Sequence, residues 1–153
     1  MSQSIKMGGD TYWDANDVII NSSTASSRKT LQEFAAYVST TTNITVGSVT
    51  AVLNIYRKFW TTTFIVSVGD SSGTPFSTIN SGDIIGTIPE GYRPVIGCQV
   101  TGLMRSSSVW ASATYLPVYI AIATNGEIAI RGNETQMRTM KYLVFSATFT
   151  VAG

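Results

Sequence analysis

The 153 residues suffice for one domain with a short appendage, and 44% of them are hydrophobic, which excludes a disordered chain. Only 12% are charged, against roughly a quarter in an ordinary soluble domain; 18 Ser and 21 Thr fill the gap and imply a neutral, hydroxyl-rich surface. Ten basic and nine acidic residues are spread without runs beyond the pairs Arg28-Lys29 and Arg57-Lys58, so the basic stripe that neutralises nucleic-acid phosphates is missing.

In chain order, residues 1–25 are polar apart from Tyr12-Trp13 and Val18-Ile19-Ile20. They predict an extended arm that docks on something larger. Met1 to Asp10 lacks the apolar stretch of a signal peptide, and no apolar run reaches the ~20 residues of a membrane span. Synthesis in a cytoplasm and no membrane insertion are expected. Asp14 and Asp17 form a weak cation pattern, better read as a solvated turn.

Residues 26–42 form the next unit. Leu31, Phe34, Ala35 and Val38 recur at helical spacing. Thr30 and Glu33 have the spacing of a capping box, which predicts a short helix over Ser26–Thr40. A helix of ~10 residues is marginal alone, so Leu31, Phe34 and Val38 are expected to face neighbouring copies or the following domain.

From residue 43 to 153 the pattern is that of strands. Val49, Ala51, Leu53 and Ile55 alternate with Ser48, Thr50, Val52 and Asn54, and Trp60 to Val68 alternate likewise. Leu143, Phe145, Ala147, Phe149 and Val151 then form one face of a last strand. Such alternation means one buried sheet face per strand. About eight strands, separated by Gly69–Gly73, Asn80–Asp83 and Pro89–Gly91, predict an antiparallel β-sandwich of jelly-roll type.

At Asn125-Gly126 a three-residue loop with Gly126 left-handed pairs Ile122 with Ile128 and Ile120 with Ile130, gathering four isoleucines on one face. The other face then carries Tyr119, Ala121, Ala123 and Ala129, small and apolar where a solvent face carries charge. Tyr119 and Ala121 are therefore expected at an interface with a second copy.

The stretch Gly86-Thr87-Ile88-Pro89-Glu90-Gly91-Tyr92-Arg93-Pro94 resembles the "(L/I)-P-x-G-Y-R-P" segment of bacteriophage tail-fibre, baseplate and receptor-binding proteins. In that family a hairpin and a final alternating strand follow it, as Val118–Ile130 and Tyr142–Val151 do here. Ile5 to Asp14 is similar to the opening module of such fibres. The resemblance implies a homotrimeric virion protein made in the host cytoplasm. Its N-terminal arm would attach to other virion proteins, and its distal domain would bind host cell-surface saccharide. A purely structural capsid-decoration fibre and a cellular trimeric jelly-roll lectin are the alternatives. Read without the family, Pro89, Gly91 and Pro94 make a corner between strands.

The residues offer little to an enzyme, and none is expected. The chain has no histidine, which removes the commonest general base and most zinc sites. Cys98 is the sole cysteine and reads as an inert, buried thiol. Glu127 and Glu134 could imitate a glycosidase pair, but one follows a turn and the other sits in a polar loop. No cofactor or metal is expected. The stretch Leu103–Tyr115 carries Arg105, three serines at 106–108, Trp110 and Tyr115. Either Trp110 fills the core on a strand over 109–116, or Arg105, Ser107, Trp110 and Tyr115 form a shallow site in which a sugar stacks on aromatic rings.

Overall fold

A computed structural model describes the chain from residue 38 to 152 and, before that, the backbone of four short strands. These pair as two hairpins, β1 (Ser4–Met7) with β2 (Asp10–Asp14) and β3 (Ile19–Ile20) with β4 (Lys29–Thr30). Eight strands follow: β5 (Val38–Val46), β6 (Val49–Lys58), β7 (Thr61–Val68), β8 (Ile84–Thr87), β9 (Cys98–Arg105), β10 (Tyr115–Ile122), β11 (Glu127–Arg131) and β12 (Tyr142–Thr150). They close into one antiparallel barrel in the order β10-β11-β8-β5-β6-β7-β12-β9.

Closure overturns the expected jelly-roll sandwich. Both architectures bury one face of each strand, so alternation alone does not separate them. Two seams decide. β9 pairs with β10 along its whole length and with β12 at its end, Arg105 lying opposite both Tyr115 and Tyr142. β5 meets β8 at Ile44 and Gly86. A Cβ on Gly86 would collide with Cδ1 of Ile44 and stand 2.9 Å from the carbonyl oxygen of Asn43. Only glycine lets these two backbones approach and remove the sheet edges.

The helix expected over Ser26–Thr40 is corrected at both ends: Lys29–Thr30 is strand β4, and Val38–Thr40 opens β5. Val38 pairs with Arg57. It belongs to a run of β-branched residues, Thr40-Thr41-Thr42 and Ile44-Thr45-Val46, whose stiff χ1 favours the pleat. Leu31 and Phe34 lie outside the described residues. The one α-helix among the described residues, α1 (Glu134–Met137), is a single turn capped by the Asn133 side chain.

The Asn125-Gly126 hairpin has the expected register, Ile122 opposite Ile128 and Ile120 opposite Ile130. Gly126 has φ 90°, and all four isoleucines are buried. They join Ile44, Leu53, Ile55, Phe64, Val66, Leu143 and Phe145 in a barrel interior filled by side chains. Phe64 packs edge-to-face on Phe145 and Phe149. Cys98 is half-buried at the start of β9, and burial raises its thiol pKa.

Strand directions define two ends. Residues 38, 59–60, 88–97, 123–126 and 151 share one; the hairpin 47–48 and loops 69–83, 106–114 and 132–141 share the other. Phe76, Ile79, Met137 and Met140 plug the loop end. At the opposite end the Pro89–Pro94 corner does the same. Gly91 has φ 83°, Tyr92 packs on the core, and Arg93 Nε donates to the Ile88 carbonyl at 3.0 Å. Arg57 ties this corner down by donating to the carbonyls of Gly91 (2.6 Å) and Ala152 (3.2 Å). Pro94 bridges Val151.

Candidate functional site

Arg105, Ser107, Trp110 and Tyr115 come together at the loop end of the barrel. Arg105 ends β9 and Tyr115 opens β10, directly opposite each other, so the loop between them is a hairpin excursion with a fixed base. Ser106 closes that base twice. Its N–H donates to the Thr114 carbonyl (3.1 Å), and its Oγ accepts from Thr114 N–H (2.9 Å). Ser107 Oγ accepts from Val109 N–H (3.1 Å), which turns the chain into a 3-10 turn at Trp110–Ser112.

Trp110 therefore lies on that turn and is 58% exposed, which removes the reading that placed it in the core on a strand over 109–116. Its ring stacks on Tyr115, 41% exposed, at a centroid distance of 6.0 Å and an interplanar angle of 29°. Tyr115 OH donates to the Trp110 carbonyl at 2.6 Å. The Arg105 guanidinium lies 4.3 Å from the Trp110 ring centroid and 4.6 Å from that of Tyr142. The result is a ladder: Tyr142, Arg105, Trp110, Tyr115.

Arg105 also organises the loop, its Nη1 donating to the carbonyls of Ser107 (3.1 Å) and Ser108 (2.8 Å). Hydrogen bonds from a charged donor contribute roughly 1.5–3 kcal/mol each and a cation–π contact about 0.5–2 kcal/mol. Together they hold an exposed loop in one shape. The buried Nε has no hydrogen-bond partner among the described residues, so the two rings are its compensation.

Tyr142 is the component that the sequence reading missed. Its signal was faint: it opens β12, on the face opposite Leu143 and Phe145, and could have been any outward aromatic. The clue is Gly69, where any Cβ would overlap the Tyr142 ring. Tyr142 OH donates to the Asp70 carbonyl at 3.3 Å. The Asp70 carboxylate accepts from Thr74 N–H at 2.8 Å; the Thr74 and Ser72 hydrogen bonds hold its pKa below the usual value.

The other singled-out positions lie elsewhere. Tyr119 is 64% exposed on the outer wall, and Ala121 and Ala129 lie beside it, half-buried. Val38 is exposed at the far end of the barrel. Glu134 accepts from Ser81 N–H at 3.1 Å and pairs with Arg138 at 3.5 Å, while Glu127 lies opposite Thr87 in the sheet. The outer wall formed by β5, β6, β7 and β12 presents Thr45, Thr50, Val52, Asn54, Tyr56, Thr63, Ile65, Ser67, Ser146 and Thr148. No charge interrupts that stretch. A comparison of the sequence with protein-family models and with curated proteins finds no match.

Proposed function

We propose that this chain is a virion fibre or receptor-binding subunit that acts as a homotrimer and offers the loop end of its barrel to host cell-surface saccharide. One observation carries the reading. The exposed Tyr142–Arg105–Trp110–Tyr115 ladder stands at the end opposite Val38, where β5 begins. In this reading the N-terminal arm attaches to other virion proteins and the ladder serves the host.

The chemistry suits a sugar. A pyranose ring lays its C–H face on an aromatic surface while its hydroxyls exchange hydrogen bonds with neighbouring serines. The loop is held in shape before any ligand arrives, so little ordering entropy is spent on binding. Contacts this shallow give roughly millimolar affinity, about −4 kcal/mol per site. Three sites per trimer and many trimers per particle raise that by avidity. The trimer reading draws on an outer wall whose one charge is Lys58 at the end of β6, and on the exposed Tyr119, which lies between Arg131 and Thr101 with Ala121 and Ala129 nearby, surfaces that favour cover by another copy.

The test is binding of the assembled protein to a glycan array and to intact host cells, with Trp110→Ala and Arg105→Ala as separate variants. Parent binding lost in Trp110→Ala, with assembly intact, supports the reading. Variants that assemble and bind like the parent remove the site. A parent that binds no cell surface favours a purely structural capsid-decoration fibre.

A further inference from the structure

Beside the ladder lies a small cleft of about 190 Å³ lined by Ser71, Ser72, Gly73, Ser106–Ser108, Lys141 and Tyr142. It is well below the ~300–1,000 Å³ that encloses a drug-sized ligand, so it suits one pendant group of a chain whose ring lies on the aromatics. The cleft offers several donors, the Lys141 ammonium and the serine hydroxyls among them. The carbonyls of Ser107 and Ser108 are both taken by Arg105. The hydroxyl oxygens of Ser106 and Ser107 each already accept a backbone N–H, which leaves their O–H protons to give. The Lys141 ammonium lies about 3.9 Å from where a Cβ of Gly73 would stand. Among the described residues neither Lys141 nor Arg105 has a carboxylate partner.

We infer that the saccharide taken here is acidic, its carboxylate or phosphate seated in the cleft against Lys141 and the Ser106 and Ser107 hydroxyls while its ring lies against the exposed parts of Trp110 and Tyr115. This rests on the ladder being a saccharide site and names the class of saccharide. An ionised carboxylate or phosphate accepts hydrogen bonds and carries the charge opposite to that of Lys141, and so matches an ammonium flanked by hydroxyls that can donate. A neutral sugar hydroxyl gains no charge attraction from Lys141. Asp70, next in the chain to Ser71, has its carboxylate engaged by its own loop through Thr74. Two cations against one carboxylate leave the neighbourhood positive. Glu134 faces Arg138 and Ser81, away from the cleft lining.

The experiment is an array of matched saccharides in three arms: uronate- or sialate-bearing, glycerol-phosphate-bearing, and their neutral parents. It is read at low and raised salt with the assembled protein. Acidic members should bind more tightly than their neutral parents, and the gap should shrink as salt rises. Lys141→Gln should weaken the acidic members about three- to tenfold and leave the neutral ones unchanged. Trp110→Ala should weaken both. Preference for the carboxylate or the phosphate arm alone supports the inference and identifies the source of the anion. Equal binding of acidic and neutral members overturns it while the ladder reading stands. Binding in no arm overturns both.

Discussion

Gly86→Ala tests barrel closure at its narrowest seam. The β5–β8 contact is one residue pair, Ile44 opposite Gly86, and the added methyl would meet Cδ1 of Ile44 and the Asn43 carbonyl. The side chain can give way; the carbonyl belongs to the β5 backbone and cannot move cheaply. Overpacking of this kind costs ~1–3 kcal/mol, offset by up to ~1 kcal/mol because alanine loses less chain entropy than glycine. A net loss of about 1.5 kcal/mol lowers Tm by about 3–6 °C for a chain of this length. Ile44→Val alone should cost ~0.5–1.5 kcal/mol. Because it removes the colliding Cδ1, the double variant should be less destabilised than the sum of the two, by at least ~0.5 kcal/mol. Thermal unfolding of the four proteins by circular dichroism measures all of these. A Gly86→Ala protein as stable as the parent, with additive behaviour in the cycle, would refute the seam and with it the closed barrel.

Phe145 is buried against Phe64 with ring centroids 6.2 Å apart, so Phe145→Ala should cost ~3–5 kcal/mol in chemical denaturation. Light scattering at micromolar concentration should give three times the 16.4 kDa chain mass; a single-chain mass would remove the trimer. The Asp70 carboxyl has a folded pKa below its usual 3.8, through Thr74 and Ser72 hydrogen bonds. Its contribution is present above the unfolded value and lost as pH falls through the lower folded one. Asp70→Asn should therefore lower Tm at pH 7 more than at pH 3, a difference measured by paired melts.

Much of the barrel was legible because strand alternation reports burial directly. The faces set by Leu53 and Ile55, by Phe64 and Val66, and by Leu143 and Phe145 are buried as read. The four isoleucines around Asn125-Gly126 fix their register because only one loop length puts them on one face. Closure was not legible. It depends on which edges meet, and Gly86 and the end of β9 carry that information through contacts far apart in sequence. The helical spacing of Leu31, Phe34, Ala35 and Val38 failed at Val38, where a β-branched run and pairing with β6 outweigh a short periodic signal. Arg105, Ser107, Trp110 and Tyr115 could be grouped from the sequence because one loop and its two ends hold them. Tyr142 and Lys141 could not, because they reach the cleft from the start of β12, which only the fold brings alongside.

The most direct measurement of the saccharide reading is an NMR titration of the assembled protein with the tightest array ligand, following the indole N–H of its three tryptophans. The account predicts that the Trp110 indole and the amides of Ser106–Ser108 and Tyr115 shift together and saturate, while Trp60, at the opposite end of the barrel, stays still. Shifts gathered on the β5–β6–β7–β12 wall or at the Pro89–Pro94 corner, with Trp110 unmoved, would contradict it.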